Sequence, residues 1–237
     1  EADASLAVNV RCGEMTTDAY TRMDVPVAKQ KLIHVHGAES ELGKIYVPTI
    51  GIQAGPNAFA AALEPIERAP SEWSQGSRKT YEAFLDVEAQ PSPVDMANVI
   101  KHLRTVLPED VILTNGAGNF TVWSNKFFPL GPEARLLAPQ SGAMGYGVPA
   151  AIAAKVAHPD RRVVCFAGDG DFQMNCQELA TAKQAGAQPI ILILNNGIYG
   201  TIRAHQETHF PGRVSGTTRE SPDFAMLAQS YGFHGER

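Results

Sequence analysis

Cysteine, basic charge and long apolar runs are what this 237-residue chain has least of. Its three cysteines, Cys12, Cys165 and Cys176, are an odd count without metal-ligand spacing, which predicts reduced thiols in a cytoplasmic protein. Asp and Glu outnumber Lys and Arg by 25 to 20, a net charge of −5, so no basic surface is offered to nucleic acid. No stretch approaches the roughly 20 apolar residues that a membrane span needs. The opening EADASLAVNV lacks the charged start and long apolar core of a signal peptide. Repeats and low-complexity tracts are also missing, and 44% apolar with 19% charged residues is not the composition of a disordered chain. What is present is length enough to bury a sizeable core, in one large domain or two small ones.

The pattern changes after the first third. Short β-rich runs at 5–11, 31–36 and 44–51 precede an amphipathic stretch at 56–67 that predicts a helix. Residues 68–92 collect prolines and small polar residues and read as an interdomain linker, with 78–87 as a connecting helix. From Pro93 onward the order is regular. Val94, Ala97, Ile100, Leu103 and Val106 predict a helix with Ser92 as its N-cap and Pro93 in its first turn. Strand 110–115, an aromatic helix-like stretch 119–128, a short LLAP run, a glycine-rich turn 142–147 and an alanine-rich helix 148–157 follow. Then come strand 162–168, helix 173–186 and strand 189–196. Continuous apolar runs such as VVCFAG and IILIL suit strands buried on both faces, and their alternation with helices predicts a parallel α/β sheet.

Ligands of a parallel sheet sit beyond the carboxyl ends of its strands. Two such ends are polar here. Asp169 lies between Gly168 and Gly170 after VVCFA, and Asn196 follows Asn195 after IILIL. A carboxylate and an amide oxygen are hard ligands that suit Mg²⁺ or Ca²⁺ together with phosphate oxygens and water. Glycines 168 and 170 let backbone approach a ligand closely, and the helix start beyond them aims free N–H groups at a diphosphate. The pair predicts a metal–diphosphate site, although Gly-Asp-Gly alone is better read as a plain chain reversal.

The pair is not alone. GDG at 168–170 and NN at 195–196, with Asp169 and Asn196 27 positions apart, flank a helix bearing QELATAKQ and follow QSGAMGYGVPAAIAAK at 140–155. Together these resemble the thiamine diphosphate-dependent enzymes, in particular the acetolactate synthase-like branch. The resemblance covers 93–237 as the diphosphate-binding domain, a three-layer parallel α/β sheet. More weakly, 1–67 resembles the later part of a Rossmann-like middle domain. It implies that Asp169, Asn196 and the carbonyl of Ile198 hold Mg²⁺, and that the backbone N–H groups of Gly170 and Asp171, next to Gly168, meet phosphate oxygens. Gly118 and Asn119 would contact the diphosphate from the other side. The Gly142 carbonyl would take the 4′-amino group, and Met144 would wedge the cofactor into its bent shape; Met144 can also be a flexible core filler. Asp171 departs from the pattern, because a carboxylate beside a diphosphate is costly unless it turns away or holds metal water. Ile202 and His205 stand where the branch faces its substrate, and apolar Ile202 favours carboligation over simple protonation.

The resemblance also implies what this chain does not carry. The glutamate that activates the cofactor belongs to a pyrimidine-binding domain, and none of Glu41, Glu64 and Glu178 can be assigned that role. The complete site would then form with the pyrimidine-binding domain of another subunit, in a homodimer or tetramer, and this chain would be the C-terminal part of the enzyme, truncated at its own end and inactive alone. The implied reaction is decarboxylation of a small 2-oxo acid such as pyruvate with carboligation to a second carbonyl. Two alternatives stay open: a thiamine diphosphate-dependent 2-oxo acid or acyl-CoA decarboxylase or lyase, and a non-catalytic cofactor-binding module. The question of FAD, held by the middle domain in the resembling synthases, stays open as well. HQETH at 205–209 misplaces the glutamate of a zinc-protease helix, and GYGVPA at 145–150 fits a dinucleotide fingerprint without a preceding strand. His34 and His36 share a strand face and read as structural, as do Cys165 and Cys176.

Overall fold

The structure, a computed structural model, describes residues 2–65, 69–90 and 92–237. They form two compact units, 1–71 and 72–237. In the first, β1 (Ala4–Val8), β2 (Lys31–His36) and β3 (Ile50–Gln53) make a parallel sheet in the order β1-β2-β3, followed by α1 (Pro56–Ala61). The strand expected over 44–51 thus starts late. Pro48 has no N–H to give a ladder, and the Thr49 hydroxyl, not a backbone group, takes the Leu32 N–H at 3.2 Å. The helix expected to reach 67 ends at Ala61; residues 66–67 of that expectation lie outside the described residues. His34 is buried with Nε2 2.9 Å from the Val10 carbonyl, which accounts for it structurally.

The second unit starts with α2 (Glu72–Phe84), earlier than the helix expected at 78–87, and its exposed side carries an Arg78–Glu82 pair one turn apart. Residues 68 and 91 of the expected linker lie outside the described residues. Next is α3 (Met96–Val106), capped by Asp95, whose carboxylate accepts the Ala97 N–H at 3.0 Å. This corrects the expectation of Ser92 as cap. The helix begins where its first buried residues, Ala97 and Ile100, meet the core, one turn after Pro93.

Strands β4 (Ile112–Asn115), β5 (Arg135–Leu137), β6 (Val163–Gly168) and β7 (Ile190–Leu194) form a four-stranded parallel sheet in the order β5-β4-β6-β7. Alternation along β6 divides the core. Val163, Cys165 and Ala167 face α5 (Gly147–Ala157) and α7 (Leu179–Ala185), while Val164 and Phe166 face Ile100 of α3 and Phe128. Three layers result, as expected. The stretch 119–128 is a 3-10 turn at Asn119–Thr121 and a single turn, α4 (Val122–Asn125), rather than one helix. The helix expected over 173–186 is likewise divided. α6 (Asp169–Gln173) starts directly from β6, Asn175 leaves helical geometry, and α7 follows a 3-10 turn at Cys176–Glu178. Beyond β7 lie α8 (Gly200–His209) and α9 (Phe224–Ser230).

Candidate active site

In the order β5-β4-β6-β7 the connections after β4 and β6 run to opposite edges, so the topological switch lies between these two strands. The crevice at their carboxyl ends is bounded by the turn 116–120 and the GDG turn. Gly168 is in register with Leu194 of β7, so the GDG turn and the Asn195–Tyr199 turn leave neighbouring strands side by side. Sequence patterning therefore located these ends correctly, and the strand order brings them together.

Side chains tie the turns to one another. The Phe120 ring packs against Gly118 and Gly168; a Cβ on either would stand 2.9–3.0 Å from it. Asn119 Oδ1 accepts the Thr201 hydroxyl of α8 at 2.9 Å. At Gly170 a Cβ would overlap Arg219 Nη1 and lie 2.7 Å from the Tyr199 ring, so close approach of the neighbouring turn requires glycine there. Asn195 Oδ1 accepts the Gly197 N–H at 3.2 Å and Asn196 Oδ1 the Ile198 N–H at 3.1 Å. This double asparagine turn explains both the NN pair and the left-handed Gly197, at φ 65°.

Asp171 resolves the oddity of a second carboxylate. It is buried, and Oδ1 accepts the N–H groups of Gly145 at 2.7 Å and Ala117 at 3.3 Å, away from the solvent side of the crevice. Burial pushes its carboxyl above the usual carboxylate range, and backbone N–H groups of Gly145, Ala117 and Gly168 draw it back. A Cβ on Gly116 would overlap this carboxylate, so glycine at 116 and aspartate at 171 are fitted to each other. Asn175 adds a second tie, donating from Nδ2 to the Gly145 carbonyl at 2.7 Å. Asp171 thus pins the glycine-rich turn 142–147 to the turn after β4.

Asp169 is also buried, with 3% of its side chain exposed. Oδ2 accepts the Ser221 hydroxyl at 3.0 Å and lies 3.6 Å from Arg219 Nη1. Neither Arg219 nor Ser221 was singled out from the sequence. They lie about 50 residues from Asp169 in an irregular segment, and no periodicity or motif marks them. A carboxylate, an amide oxygen and a main-chain carbonyl are an all-oxygen donor set, which fits Mg²⁺.

The remaining predicted residues are distributed as follows. Gly142 is exposed in a left-handed turn at φ 66°, and Met144 is half-buried in the same turn. Ile202 and His205 are exposed on α8, where the His205 and His209 rings stack in parallel at 5.9 Å. Among the described residues no group of three His, Cys, Asp or Glu side chains is placed to hold a metal. Gly147 of GYGVPA packs against β4 and β6; a Cβ would meet the Gly116 nitrogen at 2.8 Å and Cys165 Sγ at 3.1 Å. Tight helix–sheet packing accounts for that motif. Burial in β6 pushes the Cys165 thiol up to about 12, and Glu178 accepts the Thr181 hydroxyl at 2.7 Å at the start of α7. No helix among the described residues is long and apolar enough to cross a membrane.

Comparison with known proteins identifies the family of the chain. Residues 116–237 match the family described as thiamine pyrophosphate enzyme, C-terminal TPP binding domain. Over all of its length the chain is 31% identical to the acetolactate synthase isozyme 2 large subunit of Escherichia coli (strain K12), covering 43% of that protein. Over 85% of its length it is 32% identical to the isozyme 1 large subunit of the same organism, covering 37% of it. A 125-residue part is 42% identical to acetolactate synthase of Arthrospira platensis. The chain thus spans less than half the length of these relatives. With the match extending from the turn after β4 to the last residue, this chain belongs to the thiamine pyrophosphate enzyme family and carries its C-terminal TPP binding domain.

Proposed function

We propose that this chain supplies the diphosphate and metal half of a thiamine diphosphate- and Mg²⁺-dependent enzyme that decarboxylates a 2-oxo acid with carboligation, as the acetolactate synthase relatives are named for. The observation that carries this reading is the buried Asp169 at the start of α6, beside the Asn195–Tyr199 turn on the neighbouring strand end. Asp169, Asn196 Oδ1 and the Ile198 carbonyl would hold Mg²⁺, and the N–H groups of Gly170 and Asp171 would face phosphate oxygens. Gly118 and Asn119 would close the diphosphate site from β4, while Gly142 and Met144 would orient the rings. When bound, the cofactor supplies the carbanion chemistry and the protein supplies position and electrostatics. Exposed Ile202 and His205 on α8 would meet the substrate. A pyrimidine-binding domain of another subunit, in a homo-oligomer, would contribute the activating glutamate.

Calorimetric titration of the intact protein with thiamine diphosphate, with and without Mg²⁺, tests this. Mg²⁺-dependent binding in the wild type and its loss in Asp169→Ala are expected. Absence of Mg²⁺-dependent binding in the wild type would overturn the assignment and leave the non-catalytic reading without a cofactor. Product analysis with pyruvate separates the enzymatic alternatives: a carboligated acid supports the proposal, and an aldehyde alone supports the decarboxylase.

A further inference from the structure

Arg219 takes no part in the site described from sequence, yet it is the cation nearest to Asp169 among the described ion pairs. Its segment lies antiparallel along the Asn195–Tyr199 turn. Ile198 and Thr218 form a β-bridge, the Arg219 N–H donates to the Gly197 carbonyl at 2.8 Å, and the Tyr199 N–H donates to the Thr217 carbonyl at 2.9 Å. The backbone of Arg219 is therefore fixed to the same turn that carries Asn196 and Ile198. Its side chain, 10% exposed, lies over the Tyr199 ring at 4.7 Å, donates from Nη2 to Gln173 Oε1, and points Nη1 at Asp169 across Gly170.

Nη1 is buried and has no hydrogen-bond acceptor among the described residues; the 3.6 Å approach to Asp169 Oδ2 is an ion pair without a hydrogen bond. Gln173 and the Tyr199 ring thus hold the guanidinium, which meets Asp169 by charge without a hydrogen bond. A carboxylate buried to this degree needs a compensating cation. A divalent ion at Asp169 would provide one, but it would then stand beside a second, like-charged group in a poorly solvated place, where repulsion is strong.

We propose that Arg219 is a resident counter-cation of Asp169 that competes with the divalent metal and so sets its affinity. The inference rests on the reading of Asp169 as a metal ligand. Arg219 is a positioning residue in this scheme. It holds the buried carboxylate in place whenever the metal has left, and it must give up Asp169 when the metal arrives. Its long side chain can pivot over Tyr199 while the backbone stays pinned to the metal turn.

The test is Mn²⁺ binding to the intact protein without thiamine diphosphate, read from the electron paramagnetic resonance signal of free Mn²⁺. Arg219→Gln is expected to tighten Mn²⁺ binding by about fivefold or more, the low end of ordinary coupling effects on binding. Arg219→Lys, which keeps the charge, should stay near the wild type. In metal-free buffer Arg219→Gln should also melt below the wild type and recover more of its melting temperature on adding Mn²⁺. Unchanged or weaker Mn²⁺ binding in a folded Arg219→Gln overturns the proposal; weaker binding would make Arg219 an aid to the metal instead of its competitor. If Arg219→Gln does not fold, Gln173→Leu loosens the guanidinium without touching charge or metal donors. Tighter Mn²⁺ binding there supports the proposal, and no change overturns it. Asp169→Ala separates the two levels. Mn²⁺ binding that persists in it refutes the metal site, whereas lost binding together with no effect of Arg219→Gln refutes only the role of Arg219.

Discussion

At the scale of single residues, the carboxylates of Asp169 and Asp171 are two positions apart and do different work. Asp169 faces a hydroxyl and a cation, Ser221 and Arg219, and is the proposed metal ligand. Asp171 faces backbone N–H groups and serves the architecture of the turns. Replacing Asp171 by Ala would strand the Gly145 and Ala117 N–H groups, at least the first of them buried. Leaving a buried donor unpaired costs about 1–3 kcal/mol, so Asp171→Ala should lower the unfolding free energy in urea by about 2–3 kcal/mol. A loss below about 0.5 kcal/mol, the size of an ordinary surface substitution, would show that the latch carries no load. The turns of the candidate site were legible beforehand. GDG, NN and their spacing pointed to Asp169 and Asn196, and the departure at Asp171 was visible as a charge that had to turn away. Arg219 was not legible, because its role depends on a β-bridge between two irregular segments and on no local pattern.

Elements were read well where a continuous apolar run marks a strand, as in β6, buried throughout, and in β7, which the expectation put as buried on both faces but which is an edge strand only partly buried, and poorly where one side chain interrupts a helix. The stretch 173–186 has helical composition throughout, but Asn175 spends its amide on the Gly145 carbonyl and adopts φ −139°, so α6 and α7 are separate. Asparagine is a residue that trades helix bonds for such local ones. Helix α9 was not proposed from the sequence; it starts at Asp223, whose carboxylate accepts the Met226 N–H at 2.9 Å. The seating of α5 is the sharpest constraint at this scale. Gly147 opens the helix against the backbone at Asn115 and Gly116, and its carbonyl accepts the Thr114 hydroxyl at 2.9 Å. Alanine there gains roughly 1 kcal/mol of helix propensity. It would also place a methyl 2.8–2.9 Å from backbone atoms that cannot rotate aside. Overpacking of this kind costs about 1–3 kcal/mol and here moves the turn after β4. Gly147→Ala should therefore be less stable than the wild type in urea, and its cofactor affinity should fall together with its stability. A variant more stable than the wild type would mean that propensity outweighs the contact.

For the molecule as a whole, the two units differ in how much each buries for itself. Unit 72–237 has apolar clusters on both faces of a four-stranded sheet, and the turns of the candidate metal–diphosphate site all belong to it. Unit 1–71 has a three-stranded sheet with Leu32, Val35 and Tyr46 as the buried apolar residues among those described, while Leu6 and Ile50 are half exposed on its outer strands. Small sheets with so little core are marginal, because the entropy of ordering the chain is not offset by burial. Residues 72–237 produced alone should accordingly unfold in one cooperative transition with intact near-ultraviolet circular dichroism, and should retain saturable Mn²⁺ binding that Asp169→Ala removes. Residues 1–71 produced alone should show no cooperative transition. The comparison is informative in both directions. If 72–237 fails to fold, its two clusters do not suffice as a core, and the site cannot be studied apart from the rest of the chain. If it folds but binds no metal, the oxygen donors of Asp169, Asn196 and Ile198 need something beyond this unit to form a site, and the half-site reading must give way to one in which the metal position is completed elsewhere.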